Sequence, residues 1–218
     1  MDGDSSFIRS DTTQAIAQLR ARYPWPPERP EFSEDWFGWL ADTTAEMLTG
    51  QCPPDARLIV ECGTWKGLSA KALLLHAPAA HLICIDTWLG SPEHQPASGN
   101  QLWADQLPDL IEHCRANLWP WRDRVTLLRA NSPDGLKELA ELGLSPDFFY
   151  IDSEHSFDHV TKELNLITLH WPGAIIVGDD YNNAAVKLAA DTHATITGRR
   201  MVSNPSAFCF PGSPEETP

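Results

Sequence analysis

Five short apolar runs, each separated from the next by a stretch of helical length, constrain the fold of this chain most. They are LIVEC (58–62), HLICID (81–86), VTLLRA (125–130), DFFYID (147–152) and AIIVGD (174–179). Bounded apolar runs of this size read as buried strands. Helix-like segments at 67–77, 101–119, 133–142, 156–169 and 183–194 alternate with them. The alternation predicts an α/β fold, a parallel sheet with helices on both faces. Two more strand-like runs, ATITGRRMV and SAFCF, flank a Ser-Asn-Pro turn near the end of the chain. With no helix between them, they predict an antiparallel hairpin at one sheet edge.

Ahead of this region, residues 12–22 read as a short helix, and the four prolines of YPWPPERPEF end it. A second helix is expected over 33–50, with Ser33 as N-cap and Glu34 and Asp35 in its first turn. The chain thus divides into an N-terminal helical segment rich in Pro and Trp (1–54), an α/β domain (55–211) and a polar tail (212–218). A formal charge of −14 argues against a nucleic-acid backbone or an anionic membrane as partner. No apolar run approaches the roughly 20 residues of a spanning helix. The polar, acidic start MDGDSSFIRSDTTQ does not read as a signal peptide. Cys52, Cys62, Cys84, Cys114 and Cys209 are scattered, with no CxxC pair, so buried free thiols in a reducing cytoplasm are expected.

Three of the strand-like runs end in acids. Asp152 follows FFYI, Asp179 and Asp180 follow AIIVG, and Asp86 follows HLICI. In open α/β sheets the carboxyl edge is where ligands bind. Asp152, Asp179 and Asp180 converging there would repel one another unless a cation lay between them, although Asp179 and Asp180 alone could cap the helix at 183–194. The first run leads into an acid-x-Gly-x-x-x-Gly-x-Ser turn, Glu61 to Ser69. Its glycines let a ligand approach the backbone. The spacing is neither GxGxxG nor GxxxxGK[ST], which disfavours a dinucleotide enzyme and excludes a P-loop. Asp86, about 20 residues on, is placed to accept ribose hydroxyls. Together these features describe an adenosine ligand without a pyrophosphate.

The ordered set ECGTWKGLS, CIDTW, YIDSEH and GAIIVGDDY resembles the successive motifs of class I S-adenosylmethionine-dependent methyltransferases. The nearer resemblance is to small metal-dependent O-methyltransferases of the macrocin and mycinamicin type, over roughly residues 55–210. It implies a Rossmann-like fold with a mostly parallel seven-stranded sheet. It places Glu61, Gly63, Thr64, Gly67 and Ser69 around the methionine end of the cofactor, with Asp152 nearby. Asp86 would hold the ribose, Thr87 and Trp88 would flank the adenine, and Asn131 and Ser132 would touch its ring. Asp152, Asp179 and Asp180 align with the metal ligands, and all-oxygen ligation suits Mg²⁺, with Mn²⁺ as the alternative. His155 would be the general base, with Glu154 as its competitor. His159 reads as a surface or packing residue.

The resemblance implies methyl transfer to a hydroxyl of a small acceptor, a glycoside or another secondary metabolite. A hydroxylase-labelled member of the same superfamily and a non-catalytic cofactor-binding protein are the alternatives, and homo-oligomerisation is open. The loop 89–103 is expected to be a mobile lid. Trp25, Trp36 and Trp39 either stack on the acceptor or pack the N-terminal segment onto the sheet. Tyr181, Asn182 and Asn183 could contact the acceptor or the metal shell.

Overall fold

The structure, a computed structural model, describes residues 7–32 and 40–212, with backbone alone at 7–11. The expected capping residues Ser33, Glu34 and Asp35, together with Trp36 and Trp39, lie outside the described residues. Helices α1 (Phe7–Arg22) and α2 (Asp42–Gln51) precede the alternating region. There follow β1 (Leu58–Cys62), α3 (Leu68–His76), β2 (His81–Asp86), α4 (Gln101–Ala104), α5 (Leu110–Leu118) and β3 (Val125–Arg129). The remainder is α6 (Ser132–Glu141), β4 (Phe148–Ile151), α7 (Phe157–His170), β5 (Ile175–Gly178), α8 (Ala184–Thr197), β6 (Val202–Ser203) and β7 (Phe208–Phe210). The seven strands lie in the order β3-β2-β1-β4-β5-β7-β6. All pairings are parallel except those of β7 with β5 and β6. This is the doubly wound, Rossmann-like arrangement expected, with its antiparallel pair at one edge.

β1 sits centrally and is buried along its whole length. Alternation along it feeds two cores. Leu58, Val60 and Cys62 face side chains of α1, α6, α7 and α8, such as Leu19, Leu139, Leu164 and Ala189. Ile59 faces the opposite layer, with Leu48 of α2, Leu73 of α3 and Leu118 of α5. A sheet covered on both faces explains why its strands read as continuous apolar runs. All five cysteines are free and buried.

Three elements differ from the sequence expectation. The helix expected over 33–50 begins, among the described residues, only at Asp42, with Ala41 extended ahead of it. The helix expected over 101–119 is split into α4 and α5, because Pro108 lacks an N–H and Asp109 takes a left-handed conformation at φ 59°. The strand expected from ATITGRRMV is instead the last turn of α8 and a two-residue β6. The exposed β-branched residues Thr195, Ile196 and Thr197 extend the helix, with Thr195 Oγ1 donating to the Asp191 carbonyl at 2.8 Å and Thr197 Oγ1 to the His193 carbonyl at 2.7 Å, one turn back in each case. Gly198, at φ 69°, then closes the helix with its N–H on the Ala194 carbonyl. The cap at the other end of α8 is Asn183, whose Oδ1 accepts from Ala185 N at 2.9 Å, so the aspartate pair does not cap it. Trp25 donates from Nε1 to the Val125 carbonyl at 3.0 Å and meets Trp119 edge-on, so it packs the N-terminal segment onto the sheet.

Candidate active site

Strand register brings the acids together. Cys62 pairs with Ile85 on one side and with Ile151 on the other, and Ile151 pairs with Gly178. The next residue on each strand is therefore level with its neighbours: Asp86, Gly63, Asp152 and Asp179. The strand order reverses between β1 and β4, which is the switch point where open sheets bind ligands. A cavity of about 490 Å³ lies at this edge.

The chain presses closely around the first turn. Gly63 adopts φ +86°, and a Cβ there would stand 1.8 Å from the Asp152 carbonyl oxygen. Its N–H donates to the Ile85 carbonyl at 2.9 Å. Trp65 is held in a left-handed conformation at φ 52°, unusual for a bulky side chain. Asp86 stabilises that conformation. Its Oδ2 accepts from Thr64 N and Trp65 N, both at 2.8 Å, and its Oδ1 accepts from Trp88 N at 2.6 Å. Burial raises the Asp86 pKa, and the three backbone donors oppose the rise.

Glu61 lies beneath the turn, fully buried. Its Oε1 accepts from Ser69 Oγ at 2.5 Å and its Oε2 from Thr64 Oγ1 at 2.8 Å. Burial pushes its carboxyl up to about 7 against those donors. In the unfolded chain the same group ionises near pH 4.3. Between the two values the folded state holds the extra proton, so stability falls as pH rises, by about 4 kcal/mol in total. Urea unfolding of wild type and Glu61→Gln across pH 4–8 checks this. The variant should lack that part of the decline, and parallel pH profiles would contradict the assignment.

At the far end, Asp152, His155 and Asp180 place ligand atoms within 4.8 Å of one another. His155 Nε2 stands 2.9 Å from Asp180 Oδ2 and 3.6 Å from Asp152 Oδ1. That nitrogen is buried without an aligned hydrogen bond. Burial favours the neutral ring, but Asp152, Asp180 and Glu93 outweigh it and raise the His155 pKa. Burial also raises Asp152 and Asp179. Asp179 is engaged away from this group: Oδ1 accepts from Thr44 Oγ1 at 2.7 Å and Asp180 N at 2.9 Å, and Oδ2 from the Tyr150 hydroxyl at 2.9 Å. The resemblance implies three aspartate ligands, with His155 apart from them as the base. The geometry puts His155 among the ligand atoms and Asp179 behind them.

Of the other expected contacts, Thr64, Ser69, Asp86, Thr87, Asn131, Ser132, Glu154, Asn182 and Asn183 line the cavity. Gly67 shapes the turn at φ +90° against Leu118, and Trp88 is buried with its Nε1 on the Trp65 carbonyl at 3.0 Å. Tyr181 donates from its hydroxyl to Asp191 at 2.6 Å. His159, expected at the surface or in packing, is buried on the cavity wall with Nε2 2.8 Å from Ser132 Oγ. The loop after β2 adds Glu93 and His94 to the wall and α4 adds Trp103, with His94 and Trp103 packed on Trp65 at 4.8 and 5.6 Å. The sequence reading passed over Glu93, Tyr150 and Thr44. Tyr150 had a signal, since residues two apart on a strand share a face, but Thr44 had none.

Residues 60–181, more than half of the 218, match the family model described as a methyltransferase domain. The chain belongs to this methyltransferase family. No curated protein sequence matches it. Among solved structures, the apo form of CalS11, a TDP-rhamnose 3'-O-methyltransferase of calicheamicin biosynthesis, has 17% identity and a TM-score of 0.51, covering 95% of this chain and 96% of that one. The O-methyltransferase NovP has 14% identity and a TM-score of 0.57, covering 97% and 100%. The O-methyltransferase from Bacillus cereus, in complex with SAH, has 17% identity and a TM-score of 0.52, covering 92% and 89%. At these identities the likeness is one of fold. The methyltransferase has no helix among the described residues long and apolar enough to cross a membrane.

The methyltransferase edge fits its cofactor, S-adenosylmethionine. The Gly63 turn leaves no room for a Cβ, so the backbone itself forms that wall, and the cavity is of a size that suits a small-molecule ligand. The orphaned His155 Nε2 between two carboxylates likewise fits a divalent cation. A mixed oxygen and nitrogen set admits Mn²⁺ as readily as Mg²⁺.

Proposed function

We propose that this methyltransferase transfers a methyl group to a hydroxyl oxygen of a small molecule with the help of a divalent cation. The observation that carries the reading is the position of His155 Nε2 between Asp152 and Asp180, on the same cavity that the Gly63 turn walls. S-adenosylmethionine supplies an electrophilic methyl on a sulfonium. A divalent cation would lower the pKa of an acceptor hydroxyl and fix its oxygen.

The chain's own residues then have distinct tasks. Gly63, Thr64 and Ser69 shape the methionine end, with Glu61 bracing Thr64 and Ser69 from below. Asp86 braces the turn through both lone pairs of Oδ2 and one of Oδ1, and the remaining Oδ1 pair can accept from the ribose. Asn131 and Ser132 stand at the adenine end. Asp152 and Asp180 hold the cation, and Asp179 sets the strand end through Thr44 and Tyr150. With a cation offsetting the Asp152 and Asp180 charges, the His155 ring would be neutral and would take the hydroxyl proton on Nε2. Holding nucleophile and methyl group in near-attack geometry is the largest contribution of such a site.

Leu40 and Ala41 join Asn182, Asn183 and Ser206 on the cavity wall, so the N-terminal segment 1–54 helps to form the acceptor side. A glycoside or another polyhydroxylated metabolite suits these amide and hydroxyl groups. CalS11, which acts on TDP-rhamnose, shares the fold. Incubating the enzyme with S-adenosylmethionine and a panel of hydroxylated acceptors tests the reading. Chelation should stop product formation and Mg²⁺ or Mn²⁺ should restore it; full turnover in EDTA would remove the cation. The product should gain one methylene, whereas a gain of one oxygen would favour a hydroxylase.

A second reading has a specific observation behind it. His155 Nε2 lies inside the group of ligand atoms, so His155 could itself hold the cation, leaving Glu154 on the cavity wall as the base. Metal titration of His155→Ala separates the two. Retained affinity with lost turnover marks a base, and lost affinity marks a ligand.

A further inference from the structure

The loop between β2 and α4 reaches both sides of the cavity mouth through two consecutive residues. His94 packs against Trp65 of the glycine turn, with ring centroids 4.8 Å apart and planes tilted by 52°. Glu93 crosses to the opposite side, where its Oε1 stands 3.0 Å from His155 Nδ1. Glu93's side chain is 42% exposed, yet that oxygen is buried and, like His155 Nε2, has no aligned hydrogen bond, so its contact with the ring is one of charge and proximity. The backbone that carries it is well braced. Ser98 Oγ donates to the Glu93 carbonyl at 2.8 Å, Ser91 N donates to His94 Nδ1 at 3.2 Å, and Gln95 Nε2 donates to the Leu89 carbonyl at 2.9 Å. Gly90, at φ +75°, turns the chain where a Cβ would meet Leu107 at 2.6 Å.

His155 lies in the short connection between β4 and α7, with no regular element to fix its ring. An imidazole so placed can present either nitrogen to the cavity. What the ring offers to Asp152 and Asp180 depends on what holds its other edge. Glu93 is the contact on that edge, and it comes from a segment about 60 residues away in sequence.

We propose that Glu93 is a positioning residue for His155: the loop delivers its carboxylate to the Nδ1 edge of the ring, which leaves Nε2 turned into the Asp152–Asp180 group. The inference rests on the O-methyl-transfer reading above. It adds that the proton-taking group is set only when the loop lies across the cavity, so loop closure and readiness of the base are one event. A carboxylate on the second nitrogen is also how proteins orient an imidazole that serves a metal, so the role of Glu93 is the same whether His155 is base or ligand.

The test uses the full chain loaded with S-adenosylhomocysteine, as wild type, Glu93→Ala and Glu93→Gln. With ¹⁵N-labelled histidine, the His155 Nδ1–H should give a protected downfield proton resonance, assigned by its loss in His155→Gln. Glu93→Ala should lose that resonance. With an acceptor from the panel, its kcat should fall about 10-fold to 100-fold while its affinity for S-adenosylhomocysteine stays close to wild type. Glu93→Gln keeps an oxygen acceptor in place and should recover much of both. Persistence of the resonance in Glu93→Ala would overturn the inference. So would equal losses in both variants accompanied by weakened cofactor binding, since that pattern marks a loop prop. The resonance is read without turnover, so full activity in a chelator would remove the cation and leave the result for Glu93 standing.

Discussion

Gly63→Ala should abolish binding of S-adenosylhomocysteine and destabilise the fold by several kcal/mol. Two effects add at this position. Alanine at φ +86° is strained by about 1–2 kcal/mol. Its Cβ would also stand 1.8 Å from the Asp152 carbonyl oxygen, an overlap with backbone that no rotamer can relieve. The β1 turn and the end of β4 must then separate. Asp152 N donates to the Cys62 carbonyl at 2.8 Å, so that ladder bond is lost with the movement. The cofactor wall and the acid group share this contact, so both ends of the site should fail together. Calorimetric titration and thermal unfolding of the variant check this. Wild-type affinity in the variant would show that the turn is not the cofactor wall.

His155→Ala should lower kcat by about 10²–10⁴-fold, the range in which a positioned general base contributes. The effect on KM for S-adenosylmethionine should be small, because the ring stands at the carboxylate end of the cavity rather than at the glycine turn. Removing the imidazole also leaves Asp152 and Asp180 facing each other without the group that offsets their charges. The variant should therefore gain stability when a divalent cation is added, and by more than wild type does. Glu154→Gln gives the complementary measurement. A larger loss of kcat there than in His155→Ala would transfer the proton step to Glu154.

The sheet was legible because its strands are covered on both faces. Continuous apolar runs such as LIVEC and FFYI have few other places to go, and the acids at their ends mark one rim. Register then follows, which is why Asp86, Asp152 and Asp179 are level in the structure. Contacts made by side chains far apart in sequence were not legible. Thr44 reaches Asp179 over 135 residues, and Glu93 reaches His155 from a stretch that reads only as a Gly-, Ser- and Pro-rich loop. No periodicity encodes such pairs. The terminal run ATITGRRMV differs from its sequence reading because β-branched residues favour strands only weakly, and α8 runs on through them to its Gly198 cap. Asp180 shows the remaining difficulty. It was visible as a strand-end acid, but its left-handed conformation at φ 54°, which turns its carboxylate toward His155 while Asp179 faces Thr44, is a backbone feature that sequence alone does not reveal.

A crystal structure of the wild-type chain with S-adenosylhomocysteine and Mn²⁺, using the anomalous signal of the metal, tests the central claim most directly. The homocysteine end should lie between Gly63 and Asp152, and manganese should be bound by Asp152 and Asp180 beside His155. A cofactor seated away from the Gly63 turn, or manganese absent from those two carboxylates, would contradict the account.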